Sequence, residues 1–212
     1  MFITFEGPDG AGKTTVLQHL VPQLQQLTSL RIYLSREPGS NRIAEAIRKI
    51  ILDVDNKDMD ARTEALLYAA ARRQHVVENI LPALQHDDIV ISDRFVDSSI
   101  AYQGAGRQIG ATAVAQINEF ATNGLKPDLT LYLDVPVEVG LQRIKVHRQN
   151  QNDRLDQEKL SFHQRVRNAY LQLWRDNPQR IIKIDATQPL AVVIANCRQV
   201  ILQRFPKVFR RS

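Results

Sequence analysis

The sequence predicts an α/β fold: a three-layer sandwich in which a five-stranded parallel sheet lies between layers of helices. Three observations carry that expectation. Five short apolar runs, at residues 2–5, 31–35, 89–92, 129–134 and 181–185, alternate with stretches of helical periodicity. A glycine-rich turn, Gly7-Pro8-Asp9-Gly10-Ala11-Gly12-Lys13-Thr14, stands between the first run and the helical pattern that opens at Val16-Leu17-Gln18-His19-Leu20. Several of the runs end in charged residues, and the ends of strands are where open parallel sheets place their ligand-binding loops.

The bulk properties narrow the classes open to the chain. Its 212 residues suit one domain with a full core, and nothing in them looks like a linker or a low-complexity tract. Cys197 is the only cysteine, which excludes a disulfide framework and a cysteine-based zinc site and fits a reducing, cytoplasmic setting. With the first strand at residue 2 there is no room ahead of it for a signal peptide, and no apolar run approaches membrane-spanning length. A soluble protein is expected. The net charge of +5 admits a nucleic acid, a membrane surface or an anionic small molecule as partner. The placement of the charge decides among them. Apart from Arg204, Lys207, Arg210 and Arg211 in the tail, the arginines are scattered beside Gly, Asp and Ser, with no basic run interleaved with aromatics. Most are surface charges and a minority phosphate ligands, so neither nucleic acid nor membrane is an expected partner.

In order along the chain, the first element is the strand Phe2-Ile3-Thr4-Phe5, followed by G-x-x-x-x-G-K-T and a helix. That succession gives the motif its meaning. The glycines let backbone N–H groups curl around a polyphosphate, the helix N-terminus adds its dipole, Lys13 reaches the outer phosphates, and the Thr14 hydroxyl suits a magnesium ion. A nucleoside triphosphate is therefore the expected ligand of Gly7, Pro8, Asp9, Gly10, Ala11, Gly12, Lys13, Thr14 and Thr15. The second strand, Arg31 to Ser35, stops at Arg36-Glu37-Pro38-Gly39, which places Arg36 and Glu37 on the substrate side; an exposed turn with a surface ion pair is the alternative. Residues 41–52 follow as a helix with Ile43, Ile47, Ile50 and Ile51 on its apolar stripe and Arg48 off it. A long helix spans about 60–85, with Leu66, Ala70, Val77, Ile80, Leu81 and Leu84 on one face. Tyr68 and Arg72 share a different face, where ring and guanidinium suit a flat heterocycle, although this helix taken alone favours an arginine snorkelling over a half-buried tyrosine.

The third strand, Ile89-Val90-Ile91-Ser92, ends in Asp93-Arg94. A carboxylate at a strand tip downstream of a phosphate loop has the placement that orients magnesium or its waters, so Thr14 and Asp93 form the expected metal site. Arg94 would face the transferring phosphoryl group. Phe95 to Gly104 is rich in hydroxyls and includes Ser98, Ser99, Tyr102 and Gln103, which suit a sugar and a base. The fourth strand, Leu129 to Asp134, leads through Pro136 into a helix with Leu141, Arg143 and Ile144. From Arg143 to Arg154 the chain is polar and basic with no hydrophobic stripe, and it reads as a lid, roughly 143–157, whose arginines close over phosphates; a plain basic loop is the alternative. A helix over about 157–174, the strand Ile181 to Asp185 and a helix from about Pro189 complete the alternation.

The chain resembles bacterial thymidylate kinases over nearly its whole length. The likeness rests on Phe5 to Thr15, Arg36-Glu37-Pro38-Gly39, Arg48, Glu64 to Arg72, Asp93-Arg94-Phe95 through Gln103-Gly104, and Arg154-Leu155-Asp156-Gln157-Glu158. The resemblance implies a P-loop kinase fold, transfer from magnesium-bound ATP to dTMP giving dTDP and ADP, and a homodimer. It also implies that Arg48 and Arg94 hold the acceptor phosphate, that Asp9 lies near the sugar hydroxyl and phosphate, and that Arg72, Ser99 and Gln103 read the thymine. Tyr68 would stack on the base where the family usually has phenylalanine, Tyr102 would sit under the sugar and disfavour a 2′-hydroxyl, and Arg143 would lie against the adenine beside Asp185-Ala186-Thr187-Gln188. Some thymidylate kinases carry a catalytic arginine inside the P-loop, and here that position is Gly10. The lid would then supply the charge, through Arg148 first and Arg154 second, alongside Lys13, Arg94 and Asp9. Ser40-Asn41-Arg42 also departs from the family, which tends to continue with glycine and threonine. The rival readings are a kinase for another nucleoside monophosphate or a deoxynucleoside, and a P-loop switch or motor. Two arginines aimed at the acceptor argue for one already phosphorylated, and no effector loop or further motor motif is present.

Overall fold

A computed structural model describes residues 1–147, 154–155 and 157–209. Five strands form one parallel sheet in the order β2-β3-β1-β4-β5: β1 (Phe2–Glu6), β2 (Ile32–Arg36), β3 (Ile89–Asp93), β4 (Leu129–Asp134) and β5 (Ile181–Asp185). Helices connect them, namely α1 (Lys13–Gln25), α2 (Arg42–Leu52), α3 (Ala61–His75), α4 (Leu81–Gln85), α5 (Val96–Ser99), α6 (Ala111–Thr122), α7 (Val137–His147), α8 (Leu160–Asp176) and α9 (Leu190–Arg204). The chain leaves β1 toward β2 on one side and later crosses from β3 to β4 on the other. The carboxyl ends of β1 and β3 therefore border the point where the winding reverses, which is where such sheets form a ligand crevice. Their register, Phe5 opposite Asp93, brings the end of β3 beside the glycine-rich loop.

The alternation of side chains along β1 divides the interior. Ile3 and Phe5 pack with Leu17 and Leu20 of α1, Leu131 of β4, and Val193 and Ile201 of α9. Phe2 turns to the opposite layer, against Val76, Ile80, Val90 and Phe95. On that same side Thr4 and Thr130 share a hydroxyl hydrogen bond of 2.8 Å, and Glu6 enters a polar network described below. Tyr102, Tyr132, Phe162, Val166 and Tyr170 make a third apolar cluster beneath α8.

The strand positions match the sequence expectation closely, while two helix faces do not. On α2, Ile43 and Ile50 are exposed, and the buried residues are Ala44 and Ile51. On α3, Leu66 and Ala70 point outward, and the buried side is Glu64, Ala65, Ala69, Ala71, Arg72 and His75. Apolar periodicity misplaces these faces because small residues and mutually paired charges fill the interior there. The long helix also runs on from α3 to α4 through a π-helical turn at Val76–Ile80, and a second π-helical turn, Ile100–Gly106, extends α5. Helix α6, to which the sequence pattern assigns no element, is capped at its C-terminal end by Asn123 in the left-handed region. At the expected lid, α7 continues to His147 with Ile144 buried, and Arg154 and Leu155 are buried too, Leu155 against the cluster beneath α8. Among the described residues no helix is long and apolar enough to cross a membrane.

Candidate active site

The loop after β1 is built for close backbone approach. Gly7, Gly10 and Gly12 have φ of 141°, 75° and 84°, a region that side-chain-bearing residues rarely enter. A Cβ at Gly10 would also overlap the Gly140 carbonyl at the start of α7. Gly10 is thus required by the fold, which accounts for the missing basic residue at this position of the loop. Lys13 starts α1 with its side chain folded back along the loop, where Nζ donates to the carbonyls of Gly7 and Pro8, each at 3.0 Å. Burial, and then the neighbouring Arg94 charge, lower its pKa from 10.5 to about 8. Thr14 Oγ1 donates to Asp93 Oδ2 at 2.7 Å, which places a hydroxyl and a carboxylate side by side next to the loop.

Arg94 is the hub of the site. Its φ of 76° is a strained value for a non-glycine residue, held here by the bonds of its own side chain. The guanidinium donates to Gly7 O at 2.9 Å, Ser98 Oγ at 3.0 Å, Tyr170 OH at 3.3 Å and Asp9 Oδ1 at 2.7 Å. Asp9 in turn accepts from Tyr102 OH at 2.7 Å. Beneath this layer Glu6 is fully buried and accepts from Phe95 N, Ser98 Oγ and Tyr170 OH at 2.7, 2.5 and 3.0 Å. Burial, with Asp97 nearby, pushes its carboxyl up to about 7.

Farther along the crevice Arg72 is buried and bonded through every arm, which makes it a fixed feature of the wall. Nε donates to Glu37 at 2.7 Å, the terminal nitrogens donate to Ser99 Oγ at 2.9 Å and Phe95 O at 3.0 Å, and Asn118 accepts as well. Glu37 is also bonded to His75 Nδ1 at 2.9 Å. Burial raises the Glu37 carboxyl, but Arg72 and His75 outweigh it and hold the pKa below the usual value. Arg48 donates to Pro38 O at 2.9 Å, and Arg36, largely exposed, pairs with Glu45 at 2.8 Å. Arg143 donates to Ala186 O at 3.0 Å, so α7 and the loop after β5 meet at the other end of the crevice.

These residues surround one cleft of about 540 Å³. It is lined from Asp9 through Val16, by Arg36, Glu37, Arg48, Tyr68, Arg72, Asp93, Arg94, Ser98, Ser99, Tyr102 and Gln103, and by Arg143 and Leu155. The structure thereby brings together in one cavity nearly all the residues singled out from the sequence. One lid arginine stands apart: Arg154 is buried, donates to Ile51 O at 3.0 Å and pairs with Glu64. The other, Arg148, lies outside the described residues. Sequence reasoning missed Glu6, Tyr170 and Asn118, which hold Arg94 and Arg72 in place. Glu6 had a usable signal, a carboxylate directly before the loop; the other two sit in helix patterns that say nothing of their partners.

Comparison with known proteins agrees with this geometry. The sequence model of the family described as "Thymidylate kinase" matches residues 5–196. Thymidylate kinase of Lacticaseibacillus casei (strain BL23) is 64% identical over 209 residues, which cover 98% of both chains. That of Latilactobacillus sakei is 69% identical over 201 residues, covering 95% of this chain and 94% of the relative. The crystal structure of thymidylate kinase from Ehrlichia chaffeensis superposes with a TM-score of 0.78 at 32% identity, covering 95% of this chain and 98% of that one. With this fold, this cleft and these relatives, the chain belongs to the thymidylate kinase family.

Proposed function

We propose that the chain transfers the γ-phosphoryl group of ATP to the phosphate of dTMP, giving dTDP and ADP, and does so in the cytoplasm as a homodimer. One observation carries the reading. A polyphosphate loop and two guanidiniums, Arg94 and Arg48, converge on one cleft, so the cleft suits an acceptor that already bears a phosphate.

In this reading the loop amides and Lys13 hold the donor phosphates, and Arg143 lies against the adenine beside Ala186. Asp9 and Tyr102 border the sugar and acceptor phosphate, Tyr68 stacks on the thymine, and Arg72, Ser99 and Gln103 face its edge. Arg36 and Glu37 complete the substrate side, with Glu37 acting by holding Arg72. Thr14 and Asp93 suit a magnesium ion, which would neutralise phosphate charge. Among the described residues no cluster of three or more His, Cys, Asp or Glu could bind a metal alone, so phosphate oxygens and water would complete its coordination. No nucleophilic side chain and no strong base are needed, because the attacking phosphate oxygen is already anionic. Positioning, neutralisation of charge and exclusion of water supply the acceleration. Gly10 has no room for a side chain and Arg154 is committed to Glu64. Those two facts support Arg148 as the arginine that meets the charge developing on the transferring group.

A screen of nucleoside monophosphates with ATP and magnesium tests the reading. dTMP should be phosphorylated far better than UMP, CMP or AMP, because Tyr102 crowds a ribose and the base wall suits a pyrimidine. Comparable turnover of UMP and dTMP would overturn the sugar and base assignment.

A further inference from the structure

Glu64 belongs to neither the phosphate loop nor the wall of the cleft, yet it is fully buried at the start of α3 and three side chains from two other segments converge on it. Gln103 Nε2, from the π-helical turn after α5, donates to Glu64 Oε1 at 2.9 Å. Arg107 Nε donates to both carboxylate oxygens at 3.1 and 3.2 Å, and Arg154 donates to Oε2. Burial raises the pKa of this carboxyl, but Arg107 and then Gln103 and Arg154 outweigh it and hold the pKa below the usual value. A carboxylate so held only accepts hydrogen bonds.

We propose that Glu64 is a positioning residue for base selection. An acceptor-only partner leaves the Gln103 amide one orientation, with its NH2 toward Glu64 and its carbonyl Oε1 on the other side of the amide. Gln103 is itself buried and lines the cleft, and among the described residues no donor reaches its Oε1. The amide therefore offers the base an acceptor set in place before ligand arrives. A thymine or uracil ring carries an N–H at N3 and satisfies that acceptor; a cytosine ring presents a lone pair at N3 and opposes it. Exclusion of the wrong pyrimidine follows from the buried polar atom left unpaired. This inference rests on the reading above that Gln103 faces the base, and it adds the residue that decides which way the amide faces.

The test compares kcat/KM for dTMP and dCMP in the full-length enzyme, as wild type, Glu64→Gln, Gln103→Met and the double variant. Glutamine at 64 donates as well as accepts, so the Gln103 amide is free to turn over. The preference for dTMP should fall by at least about tenfold, chiefly through a higher KM for dTMP. In the Gln103→Met background the second substitution should change the preference no further. A folded Glu64→Gln enzyme with the wild-type preference, or a further fall in the double variant, overturns the role of Glu64. An unaltered preference in Gln103→Met overturns instead the assignment of Gln103 to the base, and the inference with it. Should Glu64→Gln not fold, hydrogen exchange at the Gln103 side-chain amide of the wild type decides, with the signal assigned by its loss in Gln103→Met. Slow exchange without ligand is the expected result, and exchange at the rate of a free amide refutes a fixed orientation.

Discussion

At Gly10 the obstacle is the backbone itself: the Gly140 carbonyl occupies the volume a side chain would need, and φ is 75°. Charge therefore cannot be moved into this loop without moving α7. A Gly10→Arg enzyme is expected to lose roughly a hundredfold or more in kcat/KM despite the added guanidinium, because the loop must open to accept it. Retained activity would show that α7 yields easily. Lys13 makes a second residue-scale case. Its pKa near 8 in the folded protein lies below 10.5, so the ammonium is disfavoured by its surroundings. The sign follows: this group opposes folding while charged, and stability should rise with pH between about 8 and 10.5. ATP phosphates reverse the preference. Binding of magnesium ATP near pH 9 should take up a fraction of a proton, seen as a binding enthalpy that depends on the buffer, whereas near pH 7 Lys13 is already charged. A buffer-independent enthalpy at both values would contradict this origin of the shift.

Part of the acceptor side is carried by an irregular element. The π-helical turn Ile100–Gly106 presents Tyr102 and Gln103, neighbours in sequence, to one cleft. At the borders of the proposed lid Ile144, Arg154 and Leu155 are buried. Two lid arginines that composition alone treats alike are expected to behave differently. Arg148→Ala is expected to lower kcat by about a hundredfold with little change in either KM or in thermal midpoint, as for a contact made only in the transition state. Arg154→Ala should instead cost about 3 kcal/mol of stability, since it breaks a buried pair with Glu64. Thermal unfolding and steady-state assays on both variants check this. A full kcat in Arg148→Ala would remove the lid from the chemistry and leave the catalytic charge to Lys13, Arg94 and the metal.

At the scale of the whole molecule, adjoining helices carry apolar side chains on their outer surface. Ile43 and Ile50 of α2, Leu66 of α3 and Phe120 of α6 are exposed, Phe120 by 89%, and α3 touches both α2 and α6. Exposed apolar side chains on neighbouring helices suit an interaction surface, and the homodimer proposed above would seat a second copy of the chain on it. Leu66→Asp with Phe120→Asp should shift sedimentation from dimer to monomer. A dimer that survives both changes would place the contact elsewhere.

The sequence by itself determined the five strands, the phosphate loop between β1 and α1, and the polar strand ends, because strand periodicity, glycine spacing and the lysine position are local signals. It also marked the residues that line the cleft, since Asp93-Arg94 and the run to Gln103 stand where a parallel sheet places its loops. Tertiary structure alone decided the partners. No local pattern says that Glu64 faces Gln103, Arg107 and Arg154, that Arg72 is bonded to Glu37, or that Tyr170 supports Arg94. The face of α3, where Glu64, Arg72 and His75 are buried, departs from its apolar periodicity for the same reason. Periodicity assigns apolar residues to the interior, whereas a charge enters it when residues distant in the chain complete its hydrogen bonds, and only the folded arrangement brings them within reach.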